Sequence, residues 1–192
     1  MKLYKGFTLI ELLIVVAIIA ILAAIAIPNF LQAQTRAKIS RVQSDMRSVA
    51  TALESYYIDH NLYPYPVEEE EGHDHGHDHD HPEWEGLLPH SLTTPLAYMS
   101  SLPTDVFAPD RHQFHYLTVQ YQRNLGYPNL MYEVAEHVLG RSFTEVQYTM
   151  FSHGPDMDHP EEVFESVQYD PTNGTISAGS IWYFGPGVGF GR

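Results

Sequence analysis

Five histidines alternate with acidic or small residues in one short stretch of the chain. The run EEEEGHDHGHDHDHPEWE spans residues 68–85 and holds nine acids without a single Lys or Arg. In an extended chain a period of two puts every imidazole on one side, and imidazole with carboxylate suits Zn²⁺ or Cu²⁺. We therefore predict metal binding by His73, His75, His77, His79 and His81. The alternative is a solvated, low-complexity surface loop that takes up metal adventitiously.

A single carboxylate interrupts an otherwise apolar N-terminal segment. Residues 7–27 read FTLIELLIVVAIIAILAAIAI, with Glu11 as the one charge. As a helix this run is about 31 Å long, which matches the hydrocarbon core of a bilayer. A cleaved secretory signal is the alternative, but the run is long for one and no small-x-small cleavage site closes it. A charged group inside a membrane costs roughly 2.5–3.5 kcal/mol at the helix centre, so Glu11 should have a partner.

Composition excludes several classes of function. The 192 residues include 10 Lys+Arg, 24 Asp+Glu and no Cys, for a net charge of −14. The negative charge argues against nucleic-acid binding, which depends on neutralising phosphates. The lack of Cys excludes disulfides and Cys-ligated metal centres. Residues 1–47 carry six basic and two acidic side chains, net +4, whereas residues 48–192 carry four and 22, net −18.

The elements that position these residues follow from the periodicity of the chain. Apolar side chains recur at spacings of three and four along one stripe, which predicts a single helix from about residue 7 to 59, kinked or loosened at Pro28. The stripe comprises Ile39, Val42, Met46, Val49, Leu53 and Tyr56. Aromatic and β-branched runs predict strands, and Asn173-Gly174 predicts a hairpin turn. These strands are 114–122, 142–151, 163–169 and 175–184, with a short helix at 132–139 and a flexible glycine-rich C-terminus. The fold class is then α+β, a long helix packed on a small antiparallel sheet.

The N-terminal motif resembles that of a known family. Lys5-Gly6-Phe7-Thr8-Leu9-Ile10-Glu11, followed by the apolar run and Pro28, is similar to the start of type IV pilins and type II secretion pseudopilins. The resemblance implies cleavage after Gly6 by a prepilin peptidase, N-methylation of Phe7, and roles in assembly for Glu11 and Pro28. It divides the chain into a leader (1–6), a transmembrane and filament-core helix half (7–30) and a pilin-like body (31–192) that includes the 68–85 insert.

Parts of the body resemble the G-type major pseudopilins. The segments are Leu92–Met99, Ser101–Phe107, Ser152–Asp156 and Tyr169–Thr175. The resemblance implies a calcium-binding loop near the C-terminus, which falls here on residues 154–162. Its candidate ligands are Asp156, Asp158, Glu161 and Glu162. Asn173 starts a glycosylation sequon, although the predicted turn is the better explanation of Asn-Gly.

The predicted function is structural rather than enzymatic. The chain is expected to be a subunit that polymerises with itself through its N-terminal helix. Its precursor is expected in the inner membrane, with the body on the outer side. The expected partners are the prepilin peptidase and an inner-membrane assembly platform. The product is a cell-surface or periplasmic filament. The alternative is a membrane-anchored monomer that binds metal with its histidine tract.

Overall fold

The computed structural model describes residues 7–68, 86–108, 112–140, 145–157, 167–170, 172 and 179–190. The chain divides into two compact units, residues 1–37 and 38–192. Six strands form one sheet in the order of the sequence, and each named pair is antiparallel. The elements are α1 (Leu9–His60), β1 (Val67–Glu68), β2 (Gly86–Leu87), a 3₁₀ turn (His90–Leu92), β3 (His115–Thr118), α2 (Val119–Leu125), α3 (Leu130–Leu139), β4 (Tyr148–Ser152), β5 (Ile181–Gly185) and β6 (Gly189–Phe190).

Helix α1 confirms the prediction of one long N-terminal helix. It runs for 52 residues and continues through Pro28. It ends where Asn61 adopts a positive φ of 56°, a left-handed conformation that asparagine tolerates, shortly before Pro64 and Pro66. The helix therefore ends where the helical spacing of apolar residues stops and the proline-containing segment begins, because residues before proline disfavour helical backbone.

The second unit buries the predicted apolar stripe of α1. Five of its six members are buried, and Tyr56 is half-buried against the same cluster. Alternate residues of the strands share this cluster, among them Tyr116 and Met150. Their neighbours Leu117 and Phe151 join a second cluster with residues of α2 and α3. Because successive strand side chains point to opposite faces, the sheet has the buried stripe of α1 from Ile39 onward on one face and α2 and α3 on the other. The α+β class is confirmed, and the second helical layer is an addition to it.

Two of the predicted strands are shorter than expected. The run 114–122 leaves the sheet after Thr118, whose Oγ1 accepts a hydrogen bond from the Tyr121 backbone at 3.1 Å and so caps α2. Such a cap provides a partner for a backbone donor at the helix start. The run 142–151 becomes strand at Tyr148, and residues 141–144 lie outside the described part.

Two expectations about the C-terminal region are wrong. The predicted hairpin would pair residues 163–169 with 175–184 in antiparallel fashion, but Gln168 and Ser180 form a parallel bridge. Their local strands therefore run in the same direction, which a tight turn cannot produce. The glycine-rich end is also ordered in part, because β6 pairs with β5 through Tyr183–Phe190 and Phe184–Gly189. The Asn173-Gly174 turn itself lies outside the described residues.

Candidate assembly surface and metal-binding residues

The single carboxylate of the apolar segment caps its own helix. The backbone N–H and the hydroxyl of Thr8 both donate to Oε2 of Glu11, at 2.9 Å and 2.7 Å. The Glu11 backbone N–H in turn donates to the Thr8 hydroxyl oxygen at 3.2 Å. This reciprocal pair is a capping box. It orients the carboxylate towards Thr8, one residue after the Phe7 that follows the predicted cleavage point.

The rest of the first unit presents apolar side chains outward. Phe7 is 73% exposed, and every large apolar residue from Leu9 to Leu31 is exposed. Helix α1 is long and apolar enough to cross a membrane. A continuous apolar surface of this size is typical of a segment that is covered by a membrane or by partner chains. Pro28 lies within α1 in this unit, while Gly6 lies outside the described residues.

A half-buried carboxyl group on α1 connects the helix with the sheet. Glu54 accepts hydrogen bonds from the hydroxyls of Tyr148, at 3.1 Å, and Tyr63, at 3.1 Å to its nearer oxygen. Burial, followed by the adjacent Glu54 charge, raises the pKa of Tyr148 above its ordinary value. The same causes raise the pKa of Tyr63. Both hydroxyls therefore remain protonated and able to donate at neutral pH.

The predicted calcium loop is described only at its start. Gly154 to Met157 form a turn, in which Asp156 Oδ2 accepts a hydrogen bond from the Gly179 backbone at 2.6 Å. Its second oxygen, Oδ1, is buried and has no hydrogen-bond partner among the described residues. A buried carboxylate oxygen in that state suits a cation ligand. Asp158, Glu161 and Glu162 lie outside the described residues.

The histidine tract from residue 73 to 81 also lies outside the described part of the chain. The strands on either side of it are described. Glu68 of β1 pairs with Gly86 of β2, and Val67 pairs with Leu87. Both ends of the insert are therefore anchored side by side on the sheet. Asn173 of the sequon is outside the described residues as well.

The structure brings together three other histidines that the sequence analysis did not single out. His112, His115 and His153 each offer a ring nitrogen, and these three atoms lie within 4.8 Å of one another. Their ring centroids are 4.9 to 5.5 Å apart. His115 and His153 are buried and His112 is half-buried. The His-x-x-His spacing of the first two was a visible signal, but nothing in the sequence linked them with His153.

Strand register explains the convergence. His115 on β3 pairs with Phe151 on β4. His153 follows Phe151 by two residues, so it belongs to the same face of the sheet. The His115 ring stacks on Phe151, with centroids 4.5 Å apart and an interplanar angle of 6°.

A buried carboxylate supports one member of this histidine cluster. Asp105 is fully buried, and its Oδ2 lies 3.5 Å from Nδ1 of His153. It also accepts hydrogen bonds from the backbone of Phe107 and from the hydroxyl of Ser152, at 2.9 Å and 2.8 Å, and from the His153 backbone at 3.0 Å. Burial alone would raise the pKa of Asp105, but the His153 side chain and the other donors hold that pKa below its usual value.

Comparison with known proteins concerns the N-terminal part of the chain. The prokaryotic N-terminal methylation motif matches residues 1–27. The type IV major pilin protein PilA of Myxococcus xanthus is 52% identical over 59 residues, 31% of this chain and 27% of the relative. The type IV wide pilus major component of Thermus thermophilus is 56% identical over 59 residues, 31% of this chain and 45% of the relative.

The similarity extends to the secretion branch. The type II secretion system core protein G of Pseudomonas aeruginosa is 41% identical over 60 residues, 31% of this chain and 42% of the relative. No solved structure matches. The chain thus spans less than half the length of these relatives. The resemblance to type IV pilins and pseudopilins is confirmed through the motif and these relatives, while the likeness of the body segments to G-type subunits stays a prediction.

Proposed function

We propose that the chain is a structural filament subunit, a pilin or pseudopilin, and that it turns over no substrate. The observation that carries the proposal is the combination of the methylation motif with an outward-facing apolar helix segment. In a single subunit this surface is exposed to water at a large free-energy cost. A membrane covers it before assembly, and the helices of neighbouring copies cover it in a filament.

The exposed apolar surface is one determinant of assembly, and processing of the N-terminus creates a second one. Cleavage after Gly6 by a prepilin peptidase leaves Phe7 with an α-amine, whose pKa is about 7.7–8.0 in unperturbed peptides. Glu11 lies four residues further on, on the same helix face, and its carboxylate already points towards Thr8. The amine of an incoming subunit neutralises this carboxylate in the apolar filament core. N-methylation of Phe7 preserves that positive charge.

Membrane insertion precedes polymerisation. The chain before Phe7 stays on the cytoplasmic side, and the acidic body is translocated across the inner membrane. An assembly platform in that membrane then moves the subunit into a surface or periplasmic filament. Pro28 lies inside α1 and loosens its hydrogen-bond ladder there, which lets the helix adjust to its neighbours.

The Gly6–Phe7 bond provides the test of this function. Gly6→Val should leave a membrane-bound precursor and no filaments, because only a minimal side chain suits the predicted peptidase site. Gly6→Ala is the matched control and should still be processed. Mass spectrometry of the N-terminus and electron microscopy of the sheared fraction measure both. Normal filaments from Gly6→Val, or a wild-type chain that remains an uncleaved monomer, would overturn the proposal in favour of a membrane-anchored metal-binding protein.

We also propose that calcium binds the loop 154–162. Asp156 Oδ1 supplies one ligand, and Asp158 with Glu161 or Glu162 completes an oxygen shell of the kind Ca²⁺ prefers. The Asp156 carboxylate also accepts a hydrogen bond from the backbone of Gly179. An ion bound to Asp156 therefore connects the turn after β4 with the segment that enters β5.

The histidine tract receives a separate proposal. His73, His75, His77, His79 and His81 take up Zn²⁺ or Cu²⁺, and in a filament one ion joins the tracts of neighbouring subunits. The flanking strands support this, because β1 and β2 pair with each other at one edge of the sheet, on either side of the insert. The tract therefore repeats at every subunit of a polymer.

A further inference from the structure

We propose that His112, His115 and His153 form a zinc site inside the globular body, distinct from the histidine tract and independent of filament assembly. Three imidazoles with their ligand atoms within 4.8 Å of one another resemble the protein share of a His₃ zinc centre, whose fourth position is taken by water. His112 is half-buried, so the cluster has one member at the protein surface.

The spacing is close to that required. Tetrahedral Zn–N bonds of about 2.0–2.1 Å place two ligating nitrogens about 3.3 Å apart. The nitrogens of the cluster are at most 4.8 Å apart, so closure needs relative movements of up to about 1.5 Å, within reach of side-chain rotation. The strands that carry His115 and precede His153 need not move.

The surroundings of two of these rings match those of metal ligands. Metal-bound histidines usually donate their other N–H to a carboxylate or a backbone carbonyl, which fixes the orientation of the ring. His153 has the buried Asp105 carboxylate beside Nδ1. His112 has the Gln113 carbonyl oxygen 2.5 Å from Nδ1. Asp105 is thus a positioning residue for the site rather than a ligand.

The site lies where a bound ion would cross-link two neighbouring strands of the sheet. His115 is the first residue of β3, His112 precedes that strand by three residues, and His153 lies immediately after β4. One ion therefore ties two neighbouring strands at the same end. The chain has no Cys, so no disulfide provides such a cross-link. The acidic body, net −18 over residues 48–192, attracts divalent cations.

The test uses the full chain in detergent, with residues 73–81 deleted so that the tract does not compete. Zinc chloride should bind at one ion per chain and raise the melting temperature, since ligands that bind the native state stabilise it. X-ray absorption of the zinc-loaded chain should show nitrogen ligands at about 2.0–2.1 Å, with the scattering pattern of three imidazoles. This readout needs no mutation in the cluster. Sub-stoichiometric zinc, no thermal shift, or fewer imidazoles in the absorption spectrum would overturn the proposal.

Variants then assign the residues. His112→Gln, at the half-buried member, should weaken zinc binding at least tenfold. Asp105→Asn should weaken it by about 10 to 100-fold through the orientation of His153. His90→Gln is the matched control, because His90 is exposed and outside the cluster; it should bind as the parent does. Circular dichroism in chelator checks that each variant is folded. Unchanged affinity in a folded His112→Gln chain would mean that the cluster is a packing feature only.

Discussion

The hydroxyl and backbone N–H of Thr8 hold the carboxylate of Glu11 at 2.7 Å and 2.9 Å. A helix that begins in this way has its capping acid near the end of the membrane segment, where a charge costs less than at the centre and is favoured by the helix N-terminus. The Thr8 contacts do not neutralise that charge. The carboxylate is thereby pre-oriented for a cation that arrives at the new N-terminus.

The first prediction concerns this charge. Glu11→Val removes the single charge of the span and should improve membrane insertion, yet we expect processed subunit to accumulate in the membrane with polymer lost or much reduced. Immunoblots of membrane and sheared fractions measure the two pools.

Two controls separate charge from other effects at the same helix start. Thr8→Ala removes the cap, at a cost of about 0.5–2 kcal/mol of helix stability, but keeps the charge and should retain filaments. Leu12→Val alters only an apolar side chain and should assemble normally. A wild-type filament yield from Glu11→Val would contradict the charge-pairing mechanism.

The second prediction concerns the buried stripe of α1. Leu53 is fully buried, whereas Ile58, one and a half turns later, is 80% exposed. Leu53→Ala should cost about 2–5 kcal/mol of unfolding free energy through lost burial and the residual cavity. Ile58→Ala should change it by less than about 0.5 kcal/mol. Thermal melting of the two variants compares them directly, and equal losses would argue against the observed helix face.

The third prediction uses the hydrogen bond between Tyr148 and Glu54. Tyr148→Phe should lower the unfolding free energy by about 1–2 kcal/mol at neutral pH, since bonds to charged groups contribute more than neutral ones. Tyr127→Phe, at an exposed tyrosine, is the control.

The same tyrosine should make the stability of the folded state decrease at alkaline pH. Its pKa is raised in the folded state, and the unfolded value is about 10. Its contribution is therefore complete below about pH 10 and is lost as pH rises towards the folded pKa. Melting temperatures between pH 8 and 11 should fall more steeply for the wild type than for Tyr148→Phe. Parallel curves would show that this hydroxyl does not contribute.

A structural feature could be predicted from the sequence where the residues that determine it are close together in the chain. The stripe from Ile39 to Leu53 repeats at helical spacing, so the helix and its buried face could be read directly. The run after Thr118 mixes β-branched and aromatic residues with helix formers, and in the structure Thr118 caps the start of the helix that forms there. The Thr8-x-x-Glu11 capping box was readable as well, because its spacing is local.

Sites that depend on strand register could not be predicted. His153 joins His112 and His115 because β3 and β4 pair in one register. A shift of that register by a single residue would turn His115 to the other face. The sequence places His153 in a different segment from His112 and His115. The metal prediction from the sequence therefore fell on the tract at 73–81 instead.

The fourth prediction concerns the calcium loop. If Ca²⁺ binds only the native body, millimolar calcium should raise the melting temperature of the full chain relative to chelator. Asp156→Asn should remove that shift, while Asp170→Asn, at an exposed acid elsewhere, should keep it. Deleting residues 73–81 in all samples prevents the tract from contributing. An unchanged melting temperature together with no calcium by elemental analysis would identify the loop as an ordinary acidic turn.

The last prediction concerns the histidine tract in assembled filaments. Nine carboxylates in the run 68–85 repel one another, and binding an ion must order several residues at about 1–2 kcal/mol of backbone entropy each. The affinity of one tract should therefore be modest. A polymer presents neighbouring tracts at high effective concentration, so that one ion bridges two of them.

Zinc or copper should therefore bundle filaments at neutral pH and release them at about pH 5, because ligating imidazoles must be neutral and free imidazole titrates near pH 6.5. Light scattering and electron microscopy report bundling. Deleting residues 73–81 should abolish it while leaving filament assembly intact, whereas His112→Gln should bundle as the wild type does, since that residue belongs to the cluster within the body. Bundling that persists in the deletion variant, or at pH 5, would make the tract a passive solvated loop.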